Sequence, residues 1–92
     1  MTDPIDVRCE PVPGAWTCRV EVGGPRATRH VVSVSAAALA RLAPGSDDPE
    51  DLVSRSFAFL LARESKESIL DSFELPLIGR YFPEFEERIR RA

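Results

Sequence analysis

Apolar and polar residues alternate along the first third of the chain and recur at helical spacing along the rest. Ile5, Val7 and Cys9 alternate with Asp6, Arg8 and Glu10, the period of a half-buried strand. Pro11-Val12-Pro13-Gly14 interrupts the run, and Pro-Gly is a strong turn pair. Trp16, Cys18, Val20 and Val22 then alternate with Thr17, Arg19 and Glu21. Gly23-Gly24-Pro25-Arg26 predicts a second turn, and Thr28 to Ser35, with Val31, Val32 and Val34, a third strand. The expectation over residues 1–35 is a three-stranded antiparallel β-meander.

The register of the first hairpin follows from burial. With Pro13-Gly14 at the loop centre, Cys9 faces Cys18, Val7 faces Val20 and Ile5 faces Val22, all on one face. That register also sets Arg8 opposite Arg19 and Asp6 opposite Glu21, and like charges directly opposed are unfavourable. Burying a large apolar side chain is worth about 1.5–3 kcal/mol, whereas exposed charge pairs are worth well under ~1 kcal/mol. A slip by one residue would turn the apolar set outward, so burial decides.

After residue 35 the spacing is helical. Ser35 is placed to cap a short helix, Ala36 to Ala43, with Leu39 and Leu42 inward. Asp48-Pro49-Glu50-Asp51 is a helix start: an N-cap acid, proline at the first helical position and acids in the first turn. That helix is expected from Pro49 to about Glu64, with Leu52, Val53, Phe57, Leu60 and Leu61 as a buried stripe. Ser65-Lys66-Glu67-Ser68 reads as a new N-cap for a short helix carrying Ile69, Leu70 and Phe73. Leu77, Ile78, Tyr81, Phe82, Phe85 and Ile89 continue the helical period. Pro83 reads as the first residue of a last helix, Pro83 to Arg91, after a turn at Arg80–Phe82. The expected fold is α+β, one domain over residues 1–92, with three or four helices of residues 36–92 packed on one face of the meander.

Length and charge narrow the function classes. Ninety-two residues suffice for one small domain. No stretch approaches the ~18 apolar residues of a membrane span, and Met1-Thr2-Asp3-Pro4 is not a basic segment leading into an apolar run, so a cytoplasmic protein is expected. The net charge is −3, and all of it arises in residues 35–92, which hold eleven acids and eight bases. An acidic surplus argues against nucleic acid, because phosphate neutralisation supplies most of that affinity. Arg88, Arg90 and Arg91 are the exception, and cations at a helix C-terminus also answer its dipole. Eleven of the twelve basic residues are arginine, a bias that suggests a GC-rich bacterial genome.

Candidate chemistry is sparse. Cys9 and Cys18 lie too far apart for a usual zinc pair, and His30 is the single histidine, so no metal site or cofactor is expected. In a reducing compartment the two cysteines are expected as free thiols, buried as small hydrophobes on neighbouring strands. A catalytic triad would have to use His30, which lies in a strand with no nucleophile elbow near it, and a strand histidine facing solvent or a neighbouring strand is the expectation. Gly23-Gly24 has no lysine and no helix immediately after it, so it is no phosphate loop. The carboxylates Glu64, Glu67, Asp71 and Glu74, interleaved with Arg63 and Lys66, read as a solvated helical face.

The segment Arg63-Glu64-Ser65-Lys66-Glu67-Ser68-Ile69-Leu70, followed by Phe73, Leu75, Ile78 and Arg80-Tyr81-Phe82-Pro83-Glu84-Phe85-Glu86, resembles a small family of uncharacterised bacterial proteins. The resemblance covers roughly the C-terminal half and implies no activity or functional residue. A looser resemblance, of topology alone, is to small antitoxin-type domains with a sheet followed by helices.

Two surfaces stand out for binding: the charged cluster Arg63, Glu64, Lys66 and Glu67, and the Arg80-Tyr81-Phe82 group, since Tyr and Arg are enriched at hot spots. Thirteen large apolar residues fall between Phe57 and Ile89, more than three short helices on a small sheet are expected to cover. The expected function is a non-enzymatic protein-interaction module that binds itself, as a homodimer, or another protein. The alternative is an antitoxin-like or regulatory domain that contacts nucleic acid or a toxin partner.

Overall fold

The computed structural model describes residues 3–91, and the side chain of Arg91, one of the three C-terminal arginines singled out above, lies outside the described residues. Three antiparallel strands come first: β1 (Ile5–Val12), β2 (Ala15–Val22) and β3 (Thr28–Ser35). The first hairpin has the register that burial demands, with Ile5 opposite Val22, Val7 opposite Val20 and Cys9 opposite Cys18. The unfavourable pairs Asp6–Glu21 and Arg8–Arg19 are accepted along with it. The turn between β1 and β2 is Pro13-Gly14, where Gly14 has φ 71°, a left-handed conformation that costs glycine little.

Helix α1 (Ala36–Leu42) starts directly on β3, with Ser35 Oγ accepting the Ala38 amide at 3.0 Å. Helix α2 (Pro49–Leu61) has Asp48 as its N-cap, Oδ1 accepting from the Asp51 amide at 3.1 Å, and Pro49 in its first turn. It stops at Leu61 rather than Glu64. The amides of Arg63 and Glu64 both turn back to the Leu60 carbonyl, and Ser65 is extended.

The chain then departs from the helical reading. Residues 66–68 form a single 3-10 turn, and Ser72–Glu74 is a strand, β4. It lies parallel to β3, Val31 opposite Ser72 and Ser33 opposite Glu74, so the sheet is mixed and four-stranded in the order β1-β2-β3-β4. The expected three-stranded antiparallel meander is thus corrected by one parallel edge strand. Such a strand needs a crossover of a dozen or more residues, and α1 and α2 lie within that crossover. A second 3-10 turn at Leu75–Leu77 runs into α3 (Ile78–Tyr81), where a turn was expected, and α4 (Phe85–Arg91) begins two residues later than Pro83.

The core lies between the sheet and the helices. Val20, Val22, Val32 and Val34 from the sheet meet Leu39, Leu42, Leu52, Val53, Phe57, Leu60, Phe85 and Ile89 from the helices, all buried. The other sheet face carries Asp6, Arg8, Arg19, Glu21 and Arg29 and is exposed.

Two sequence expectations about the sheet are corrected. Cys9 and Cys18 are joined in a disulfide, not free. Directly opposed cysteines in a cross-strand pair, with Cα atoms 3.9 Å apart, stand side by side on one face, close enough to join. Bonds of this kind belong to oxidising compartments or to redox-sensing proteins. His30 faces neither solvent nor a neighbouring strand but the core, at 2% exposure. Its Nδ1 lies 2.8 Å from the Leu70 carbonyl and its Nε2 lies 2.9 Å from Thr28 Oγ1. A carbonyl only accepts, so Nδ1 carries the proton and donates. The ring packs on Phe57, which in turn meets Phe73 of β4.

Candidate functional site

The end of α2, the segment 68–73 and α3 enclose an open apolar cleft of about 260 Å³. Its floor is Leu60, Ile69 and Ile78, all nearly buried. Phe73, Leu77 and Phe82 form half-buried walls. Leu70 and Tyr81 stand at the rim, 49% and 68% exposed, two of the four large hydrophobic residues left open among the described residues. Glu64 and Ser68 supply the polar part of the lining.

Local structure explains why the cleft stays open. The 3-10 turn at 66–68 reverses the chain after α2 and turns Ile69 inward. The next residues then extend to reach β3: the Val31 amide donates to the Asp71 carbonyl at 2.8 Å, and the Leu70 carbonyl accepts from His30. Both backbone ends of the Leu70–Asp71 link are therefore tied to β3, and the Leu70 side chain is left at the surface. The single turn of α3, which also lines the cleft, is too short to present a full apolar stripe. It buries Ile78 and leaves Tyr81 outward.

The residues singled out from the sequence divide into two groups. Glu64, Tyr81 and Phe82 line the cleft. Arg80 and Glu67 are exposed beside lining residues. Arg63 and Lys66 are instead structural. Arg63 lies over the Phe59 ring, 3.6 Å from its centroid, donates to the Phe59 carbonyl at 3.0 Å and pairs with Glu84 at 3.3 Å. Phe59 meets Phe82 and Phe85 edge-on, so Arg63 closes an aromatic cluster. Lys66 is 7% exposed. Its ammonium donates to the carbonyls of Gly23 and Pro25 at 2.8 and 2.9 Å and meets Asp3 Oδ2 at 3.0 Å. All three ammonium donors are satisfied, and the group pins the β2–β3 turn to the 3-10 turn after α2.

Leu70, Phe73 and Leu77 have the spacing of apolar helix positions, yet all three line the cleft, a role that no local pattern marks. Glu84 is held below the usual carboxylate range, first by its own backbone amide and then by Arg63, with Arg88 adding a smaller share. Among the described residues no group of three or more His, Cys, Asp or Glu side chains is placed to hold a metal ion. No described helix is long and apolar enough to cross a membrane.

No family model matches the chain. No curated protein matches it, and no solved structure does. The chemistry of the site rests on its own residues.

Proposed function

We propose that this protein is a non-enzymatic protein-interaction module that docks another polypeptide in the cleft between α2 and α3. The observation that carries this is the exposure of Leu70 and Tyr81 in the lining of an apolar slot whose floor is already desolvated. Small domains rarely leave apolar surface gathered in one place unless something covers it. Tyrosine suits such a rim, because its ring gives contact area while its hydroxyl stays wet. The internal use of His30, the burial of Cys18 and the absorption of Lys66 into the fold all favour binding over catalysis. On the outer sheet face Asp6, Glu10 and Glu21 alternate with Arg8, Arg19 and Arg29, a mixture that gives a phosphate backbone no continuous track.

The partner is a second copy or a different protein. Sedimentation across a concentration series separates the two. Affinity capture from the protein's own cells, run in parallel with wild type and a Leu70→Ser/Tyr81→Ala variant, tests the cleft itself. A protein retained by the wild type and lost by the variant is the expected result. Equal capture by both places the interaction elsewhere.

A further inference from the structure

We infer that the occupant of the cleft is a cationic segment: a stretch with one large apolar side chain, seated between Leu70 and Tyr81, and Lys or Arg beside it. This rests on the interaction reading above and adds the chemistry of the partner. Glu64 lies in the lining, half-buried, and its carboxylate has no hydrogen bond or ion pair among the described residues. Glu67 and Asp71 are exposed next to the lining residues Ser68 and Leu70, and they too lack a cation. The bases that would neutralise them are committed elsewhere, Lys66 to Gly23, Pro25 and Asp3, and Arg63 to Phe59 and Glu84. Among the described residues Arg80 is the one exposed base next in sequence to the cleft lining, beside Tyr81, against three carboxylates.

Covering the slot strips water from Glu64, and a desolvated carboxylate is costly unless a cation or donor replaces that water. A neutral or acidic occupant leaves that cost standing, whereas a guanidinium or ammonium answers it with a charge-assisted hydrogen bond. A second copy does not fit. A two-fold contact brings the same patch onto itself, and that patch offers one exposed base, Arg80, against Glu64, Glu67 and Asp71, so in each copy carboxylates would be covered without a cation to answer them. The size also points to a side-chain anchor, since about 260 Å³ falls below the ~300–1,000 Å³ of pockets that enclose a whole small molecule.

The test is selection from a random peptide library displayed on phage, against wild type, Glu64→Gln, Glu64→Arg and the Leu70→Ser/Tyr81→Ala variant, with circular dichroism as the control for folding. Wild type is expected to enrich peptides with a Leu or aromatic anchor flanked by Lys or Arg. Their binding is expected to weaken about tenfold in Glu64→Gln, to weaken further with salt, and to vanish in the double variant. Glu64→Arg is expected to enrich acidic flanks instead. Peptides that need Leu70 and Tyr81 but show no basic preference would overturn the charge inference and leave the interaction reading standing. No peptides, or peptides indifferent to the double variant, would overturn both. A dimer in sedimentation that Leu70→Ser abolishes would make a second copy the occupant and overturn the cationic partner alone.

Discussion

The ammonium of Lys66 and the carboxylate of Asp3, far apart in the chain, meet at 3.0 Å beneath the turn that joins β2 to β3. Gly24 sits against this contact, and its φ of 88°, which L side chains rarely adopt, is what requires glycine there. The contact is unequal. Asp3 is about one-third exposed, whereas Lys66 is buried and also satisfies two backbone carbonyls. Lys66→Met orphans both carbonyls and is expected to cost at least ~1–3 kcal/mol, the penalty for a buried unsatisfied acceptor. Asp3→Asn keeps both carbonyl bonds and is expected to cost under ~1 kcal/mol. Urea unfolding of the two variants measures the difference, and equal losses would show that the carbonyls are not what Lys66 holds.

The Cys9–Cys18 bond closes a short loop within one hairpin. Constraint of the unfolded chain by a loop of this size is worth about 3 kcal/mol. Thiol titration of the unfolded, unreduced protein is expected to find no free thiol, and reduction is expected to lower the unfolding midpoint. A full thiol titre in the native protein would contradict the pairing.

Tyr81 and Phe85 lie four residues apart and differ in what they contribute. Phe85 is fully buried and packs on Phe59, so Phe85→Ala is expected to cost about 3–5 kcal/mol. Tyr81 is mostly exposed, and Tyr81→Ala is expected to change stability by less than ~1 kcal/mol while weakening association. A large fall in melting temperature for Tyr81→Ala would place its ring in the core instead.

Glu84 links acidity to the aromatic cluster through Arg63. Its folded-state pKa is lowered, so the stability it lends is present above the ordinary glutamate value of ~4.3 and is lost as pH falls through the lower folded value. The carboxyl resonance of Glu84 is expected to titrate below an ordinary glutamate. Arg63→Met should raise that midpoint only in part, because the backbone amide of Glu84 is the larger cause. A midpoint unmoved by Arg63→Met would mean that Arg63 does not act on this carboxylate.

His30 is expected to carry a proton on Nδ1, since the Leu70 carbonyl can only accept. Imidazole nitrogen chemical shifts report which nitrogen is protonated, and an Nδ1 without a proton would contradict the bond. His30→Phe fills similar space but leaves the Leu70 carbonyl without its donor. It is expected to cost ~1–3 kcal/mol and to loosen the rim of the cleft.

What the chain determined locally was the hairpin register, the caps at Ser35 and Asp48 and the start of α2, because each depends on residues adjacent in sequence or on strict alternation. Tyr81 and Phe82 were legible as surface candidates from their type and position. The tertiary structure alone decided the rest. Ile69, Leu70 and Phe73 have a spacing that fits a helix, yet β4 forms because Val31–Ser33 leaves an unpaired edge that only Ser72–Glu74 reaches. Lys66 and Arg63 carry the residue types of a recognition surface, but partners more than twenty positions away take them into the fold. The cleft has no local signature, because three segments meet there and its openness depends on how far each is pulled toward the sheet. Periodicity registers which residues can be buried together; it does not register which distant backbone will compete for them.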